Sequence, residues 1–294
     1  MQMSQTNQTA EFSLTQEELG SFISILTERT GIIPRASHRD GIKGYIERKV
    51  KEKASSVQGY KNELLASESL FNELVNESTV NETYFFREEK QFALLRDRIF
   101  PMWRMMRGTA EIKIWSAACS YGEEAYSLAL LAKTCGVKAL VTASDINSEV
   151  LEHCKNGVFL GSSLRQVDGL PFQNLLLPYK RTDGRIEFDS DLRACIQPRK
   201  INLSLLGSPA CDMMLPKMQD IIFIRNVFIY FSQELRARIL RTIADKCLSE
   251  GGILFVSMSE IAQLDSTVMP SSLEKVSDGS VFYFHKKTGG KDNG

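Results

Sequence analysis

An α/β fold on a mainly parallel sheet, preceded by a small all-helical domain and interrupted by a β-hairpin insertion, is the architecture that this sequence predicts. Three observations lead there. From Phe12 to about Val80 apolar residues recur at helical spacing without strand-like alternation. Beyond Pro101, apolar runs of strand length alternate with amphipathic helices, the pattern of a parallel sheet covered by helices. Between Val158 and Lys200 that rhythm breaks around Asp183-Gly184, a dipeptide suited to a tight hairpin turn.

In the first region, TQEELGSFISILTERTG sets Leu19, Phe22, Ile23 and Leu26 on one face and meets a stop at Gly31. GIKGYIERKVKEK spaces Ile42, Ile46 and Val50 four apart, and YKNELLASESLFNELVNES supplies one or two further short helices. In the second region EIKIWSA is the first strand and GEEAYSLALLAKTCG its helix. ALVTASD is the second strand, followed by NSEVLEHCKNG with its helix stop at Gly157. Later come the strand DIIFIRN, the long helix SQELRARILRTIADKCLSEGG, the strand ILFVSMSE and a closing strand SVFYFHKK. The predicted organisation is a disordered tail at 1–11, a helical domain at 12–80, a linker at 81–100, and an α/β domain at 101–286 with its insertion at about 158–200. A disordered tail at 287–294 follows.

Composition excludes several classes of function. Thirty-six Lys and Arg balance 36 Asp and Glu, so no overall field favours nucleic acid. Six scattered cysteines without a C-x-x-C pair predict reduced thiols and no metal site. A polar N-terminal stretch and the lack of any bilayer-length apolar run predict a cytoplasmic protein with no membrane insertion.

Ligands of open α/β sheets sit beyond the carboxyl ends of the strands, so the residues just after each strand carry the functional information. The first such turn, SAACSYGEEAYS, has small side chains and Gly122 but lacks the G-x-G-x-x-G of a dinucleotide site. Glu123 and Glu124 open the following helix, where they would repel a pyrophosphate and suit a cofactor with a cationic part, such as S-adenosylmethionine. Equally, acids in a first turn offset the helix dipole. Asp145, ending the second strand, is placed either to accept ribose hydroxyls or to cap the next helix. Asn202, Asn226 and Tyr230 end further strands on the same edge.

Taken together, NETYFFREEKQF, IWSAACSYGEEAYSLAL, ASDINSEVLEHCKNGVF and IIFIRNVFIYFSQELRARIL resemble the chemotaxis receptor glutamate O-methyltransferases, the CheR-type enzymes, in the family's order and from about Phe12 to Phe284. The resemblance implies a class I, Rossmann-like methyltransferase domain that uses S-adenosylmethionine to esterify glutamates on the cytoplasmic helices of chemoreceptors. It assigns Asn81, Thr83 and Arg87 to contacts around cofactor and substrate, Glu124 to the methionine amino group and Asp145 to the ribose. Asn202 with Leu203 and Asn226 with Val227 line the adenine and methionine parts, and Tyr230 faces the reaction centre. Arg87 and Tyr230 become the catalytic candidates, and the linker lies over the cofactor with Phe85 and Phe86 as packing. The segment GSPACDMMLPKMQ is longer than the family pattern, and the TDGR turn lacks the glycine-rich addition with which some members grip a receptor tether. A carboxyl methyltransferase acting on another signalling protein, or a non-catalytic cofactor-binding module, is the alternative.

A glutamate acceptor is already ionised at neutral pH and needs no general base. His38, His153 and His285 all lie outside these motifs, which agrees with that chemistry. The helix carrying Lys43, Arg48, Lys49, Lys51 and Lys53 offers either a docking face for an acidic receptor segment or an ordinary solvated surface.

Overall fold

The computed structural model describes residues 12–165, 170–265 and 267–288. The tails expected at 1–11 and 289–294 lie outside the described residues. The chain divides into two compact units, one ending at Ser78 and the other starting at Thr79.

The first unit consists of α1 (Gln16–Thr30), α2 (Ala36–Glu52), α3 (Val57–Ala66) and α4 (Glu68–Ser78). Thr15 and Glu18 form a reciprocal capping box at the start of α1, and Gly31 ends it at φ 70°, a left-handed conformation that costs glycine nothing. Leu19, Phe22 and Leu26 are buried as the spacing predicts, but Ile25 takes the core position expected of Ile23. Ile42, Ile46 and Val50 are buried on α2. Its cations are largely matched by local acids: Lys43 with Glu47 (3.7 Å), Arg48 with Glu52 (3.9 Å), Lys49 with Glu73 (2.8 Å) and Lys53 with Glu63 (2.8 Å). Exposed pairs of this kind contribute little stability and leave little unbalanced field for a partner.

The second unit begins with an irregular strap, residues 79–88, and then α5 (Glu89–Leu94) and α6 (Phe100–Arg107). Pro101, read as a boundary before the α/β region, sits in the first turn of α6, and a π-helical turn at Leu95–Ile99 joins the two helices. The wider turn accommodates a residue that has no N–H to donate.

The sheet contains seven strands in the order β5-β2-β1-β6-β7-β9-β8: β1 (Ile112–Ala117), β2 (Ala139–Asp145), β5 (Ile196–Lys200), β6 (Gln219–Ile224), β7 (Leu248–Phe255), β8 (Leu273–Asp278) and β9 (Val281–Lys286). The five strands from β5 to β7 are parallel, and β9 runs antiparallel to both β7 and β8. Strand order reverses between β1 and β6, which opens a crevice at their carboxyl ends. Helices α7 (Glu123–Thr134), α8 (Ser148–Asn156) and α11 (Gln233–Thr242) follow β1, β2 and β6.

Three expectations need correction. SVFYFHKK does not close the sheet, because β8 pairs outside it through a hairpin turned at Asp278-Gly279. Ile196–Lys200, grouped with the insertion, is β5 of the main sheet. The insertion itself is not a hairpin around Asp183-Gly184, where only a single bridge, Lys180 to Ile186, forms. Its two-stranded ribbon joins β3 (Val158–Phe159) to β4 (Ile186–Glu187), with short 3₁₀ turns between them and α9 (Ser190–Ala194) after them. Pro171 and Pro178 cannot donate to a ladder, which favours turns over the first arm of a hairpin. The segment GSPACDMMLPKMQ contributes one short helix, α10 (Pro209–Asp212).

The strap is held to this unit by its two phenylalanines. Phe85 packs edge-on against Phe159 (5.0 Å) and Phe188 (5.7 Å) of the insertion. Phe86 stacks on Phe172 (4.9 Å) and meets Phe92, which continues through Phe223 to Phe255 on the sheet. Each ring buried in this way stabilises the strap by about 2 to 3 kcal/mol.

Gly122 turns the chain from β1 into α7 at φ 104°, and a Cβ there would lie 2.5 Å from the sulfur of Cys154 on α8. Gly122→Ala therefore combines backbone strain with a clash, and a loss of about 3 kcal/mol in unfolding free energy is expected by urea denaturation.

Candidate active site

The carboxyl ends of β1, β2, β5, β6 and β7 present five turns, and the strap is hydrogen-bonded to four of them, those after β1, β2, β6 and β7. Ser120 Oγ donates to the Asn81 carbonyl (3.2 Å), and Arg225 Nη1 donates to the Arg87 carbonyl (2.7 Å). Backbone strain gathers at this edge. Phe86, Glu88, Ala118, Ser120 and Asn226 are five of the seven non-glycine residues with left-handed φ among those described, each costing about 1 kcal/mol or more.

Asp145 closes β2 and is 8% exposed. Its Oδ2 accepts from the Ser120 amide (2.9 Å) and its Oδ1 from the Asn147 amide (3.0 Å). Burial raises its pKa, while the amides of Asn147, Ser120 and Ile146 pull it back. The helix cap is not Asp145 but Asn147, whose side chain accepts from Glu149 and Val150. The carboxylate keeps lone pairs for further donors such as paired ribose hydroxyls.

The two acids of the first turn part company. Glu124 accepts from Ser116 Oγ (2.5 Å) and from Arg225 Nε (2.7 Å). Glu123 turns inward, 3% exposed, where Ser163 Oγ donates to it (2.8 Å). Burial pushes the Glu123 pKa up to about 7, opposed by Ser163 and by Thr83. Glu123 therefore does not form a paired anionic mouth with Glu124, because it lies under the strap. Thr83, expected beside the cofactor, spends a hydrogen bond on Glu123.

Asn202 caps the turn after β5, its Oδ1 accepting from Ser204 N (3.0 Å) and Ser204 Oγ (2.8 Å), with Leu203 buried behind it. Asn226 and Val227 follow β6 half-buried, and Asn226 Nδ2 donates to Ser257 Oγ (3.1 Å). Tyr230 ends a 3₁₀ turn, Phe228–Tyr230, also half-buried. Glu260, fully buried, accepts from the Asn226 amide (2.7 Å) and the Ile229 amide (3.4 Å) and so fixes that turn. Burial raises the Glu260 pKa, and the amides at Asn226, Ile229 and Phe228 oppose the shift.

The Arg87 guanidinium donates to the Glu82 carbonyl (2.9 Å) and lies 5.5 Å from the Tyr84 ring. Among the described residues it forms no ion pair. The neighbouring Glu88 accepts from Ser257 Oγ (2.5 Å) and the Met258 amide (3.1 Å). His153 packs against Tyr121 and Phe159, and His285 lies on β9, so neither enters this edge. Sequence reasoning missed Arg225 and Glu260. The signal for Arg225 was a lone arginine directly after an apolar strand, where only a buried counter-charge could tolerate it.

At this switch-point crevice Asp145 accepts from two backbone amides and Glu124 pairs with Arg225, while Arg87 stands on the strap without an ionic partner among the described residues. Residues 81–275 match the family described as "CheR methyltransferase, SAM binding domain". The chain is 30% identical over 293 residues to chemotaxis protein methyltransferase 2 of Vibrio cholerae, covering 97% of this chain and 99% of that one. It is also 30% identical to the chemotaxis protein methyltransferase of Escherichia coli (86% and 87% covered) and 27% identical to that of Borreliella burgdorferi (94% and 100%). The chain belongs to the CheR methyltransferase family. Its cofactor is S-adenosylmethionine. No helix among the described residues is long and apolar enough to cross a membrane.

Glu123 supplies a pH prediction. Its folded pKa lies above the unfolded value, so the native state binds more protons and stability falls as pH rises from about 4.5 to about 7. Glu123→Gln should remove that decline and raise unfolding free energy at pH 8 by roughly 2 to 3 kcal/mol, with little difference at pH 4, as measured by urea titration at each pH.

Proposed function

We propose that this protein forms glutamate methyl esters on cytoplasmic helices of chemoreceptors, acting in the cytoplasm in chemotactic adaptation. One observation carries the reading: the strap bearing Arg87, a cation without an ionic partner among the described residues, is bonded at both ends to the turns that carry the cofactor candidates.

When bound, S-adenosylmethionine supplies an electrophilic methyl group on a sulfonium. Asp145 holds the ribose hydroxyls with the lone pairs its two amides leave. Glu124 takes the amino group, Asn202 and Leu203 border the adenine, and Asn226 and Val227 line the methionine side, with Asn81 closing over it. Arg87 receives the acceptor carboxylate through its planar fork of donors, and Tyr230 helps aim it. No side chain removes a proton, since the acceptor is ionised at working pH. Rate enhancement then comes from alignment and from stripping water off the carboxylate, with reacting atoms held about 3 to 3.5 Å apart. Too tight a grip by Arg87 would favour the ground state, so a single well-aimed contact serves best. The helical unit, 12–80, is assigned to acceptor recognition, by shape and local contacts more than by net charge.

Transfer of labelled methyl from S-adenosylmethionine to receptor membranes tests the proposal. Wild type should give a base-labile product, and Arg87→Ala should lower kcat by about 100-fold or more with cofactor affinity nearly unchanged. Asp145→Asn should chiefly weaken cofactor binding by calorimetry. A base-stable product would exclude a carboxyl ester, and failure of either cofactor form to bind would end the reading.

A further inference from the structure

Arg225 is 6% exposed and lies directly beyond β6, with its guanidinium 5.6 Å and 5.3 Å from the Phe92 and Phe223 ring centroids. Three of its contacts reach different parts of the site. Nε donates to Glu124 (2.7 Å), Nη1 to the Arg87 carbonyl (2.7 Å) and to Gln91 Oε1 (3.0 Å), and Glu88 Oε2 lies 3.8 Å away. Gln91, fully buried, is itself fixed by donating to the Val256 carbonyl (2.8 Å) at the end of β7.

A cation buried this deeply needs opposing charge, and Glu124 and Glu88 supply it. Charge alone does not explain the contact with the Arg87 carbonyl. A backbone carbonyl needs a directed donor, and the one chosen belongs to the residue that carries the unpaired arginine. The planar fork of a guanidinium can hold a carboxylate with one N–H and a carbonyl with another at fixed mutual orientation, which a point-charge ammonium cannot do.

The geometry points to Arg225 as the positioning residue of the methyl transfer: one guanidinium sets both the carboxylate of Glu124 at the cofactor and the backbone that aims Arg87 at the acceptor. This rests on the roles proposed above for Glu124 and Arg87. It goes beyond them by making the two depend on a third side chain that touches neither cofactor nor substrate.

The two arms are separable by experiment. In full-length Arg225→Lys, the ammonium keeps its pairing with Glu124 but cannot also hold the Arg87 carbonyl and Gln91. Affinity for the demethylated cofactor, S-adenosylhomocysteine, should stay within about threefold of wild type by calorimetry, while kcat falls about 30-fold or more. Amide hydrogen exchange in peptides spanning 85–92 should accelerate, with exchange in the sheet unchanged. Arg225→Gln should lose both affinity and kcat. A lysine variant with wild-type kcat, with kcat and affinity lost together, or with unchanged exchange at 85–92 would overturn the proposal. Wild type that binds cofactor yet methylates no receptor would instead count against the acceptor assignment, and the exchange measurement would still decide the role of Arg225.

Discussion

Burying a guanidinium leaves a protein two choices: meet its charge and its donors in fixed places, or lose several kcal/mol. Arg225 is met by Glu124 from α7, by Glu88 and the Arg87 carbonyl from the strap, and by Gln91 from α5. These partners lie as many as 138 positions from Arg225 in the chain. The carboxyl edge of the sheet is thus organised around one cation, and the turns that would otherwise be independent loops share a common anchor.

Around that anchor the acids have divided their work. Glu124 stays at the mouth with its charge balanced by Arg225, Glu123 lies beneath the strap, and Glu260 uses its carboxylate to tie down the turn from Asn226 to Tyr230. Asp145 spends part of its capacity on the Ser120 and Asn147 amides. Selection of a cationic methyl donor therefore does not rest on two bare carboxylates. Glu124 is a single acid balanced by Arg225, while Arg87 has no ionic partner among the described residues.

The left-handed residues belong to the same economy. Ala118 and Ser120 in the first turn, Asn226 after β6 and Phe86 and Glu88 in the strap are held in costly conformations by hydrogen bonds and by aromatic packing on both sides. Such strain persists where surrounding structure over-determines the backbone.

Strand and helix identities were legible because β1, β2 and β6 are buried apolar runs, α8 and α11 are amphipathic, and α7 is a helix-length apolar run buried on nearly all sides, all short-range properties of the chain. The order of four motifs was likewise enough to indicate the family and its cofactor. What the chain could not announce is pairing over distance. Asp183-Gly184 and Asp278-Gly279 are the same turn signal, yet only the second builds a full hairpin, because β9 is seated on β7 of the main sheet whereas Ile186–Glu187, after the first turn, pairs with the distant β3. Adjacent Glu123 and Glu124 read alike in sequence, but consecutive residues on a helix face different ways, so the fold buries one under the strap and pairs the other with Arg225. Arg225 gained its partners only when strap, sheet and helix met, since a buried charge has meaning through what surrounds it and not through its place in the chain.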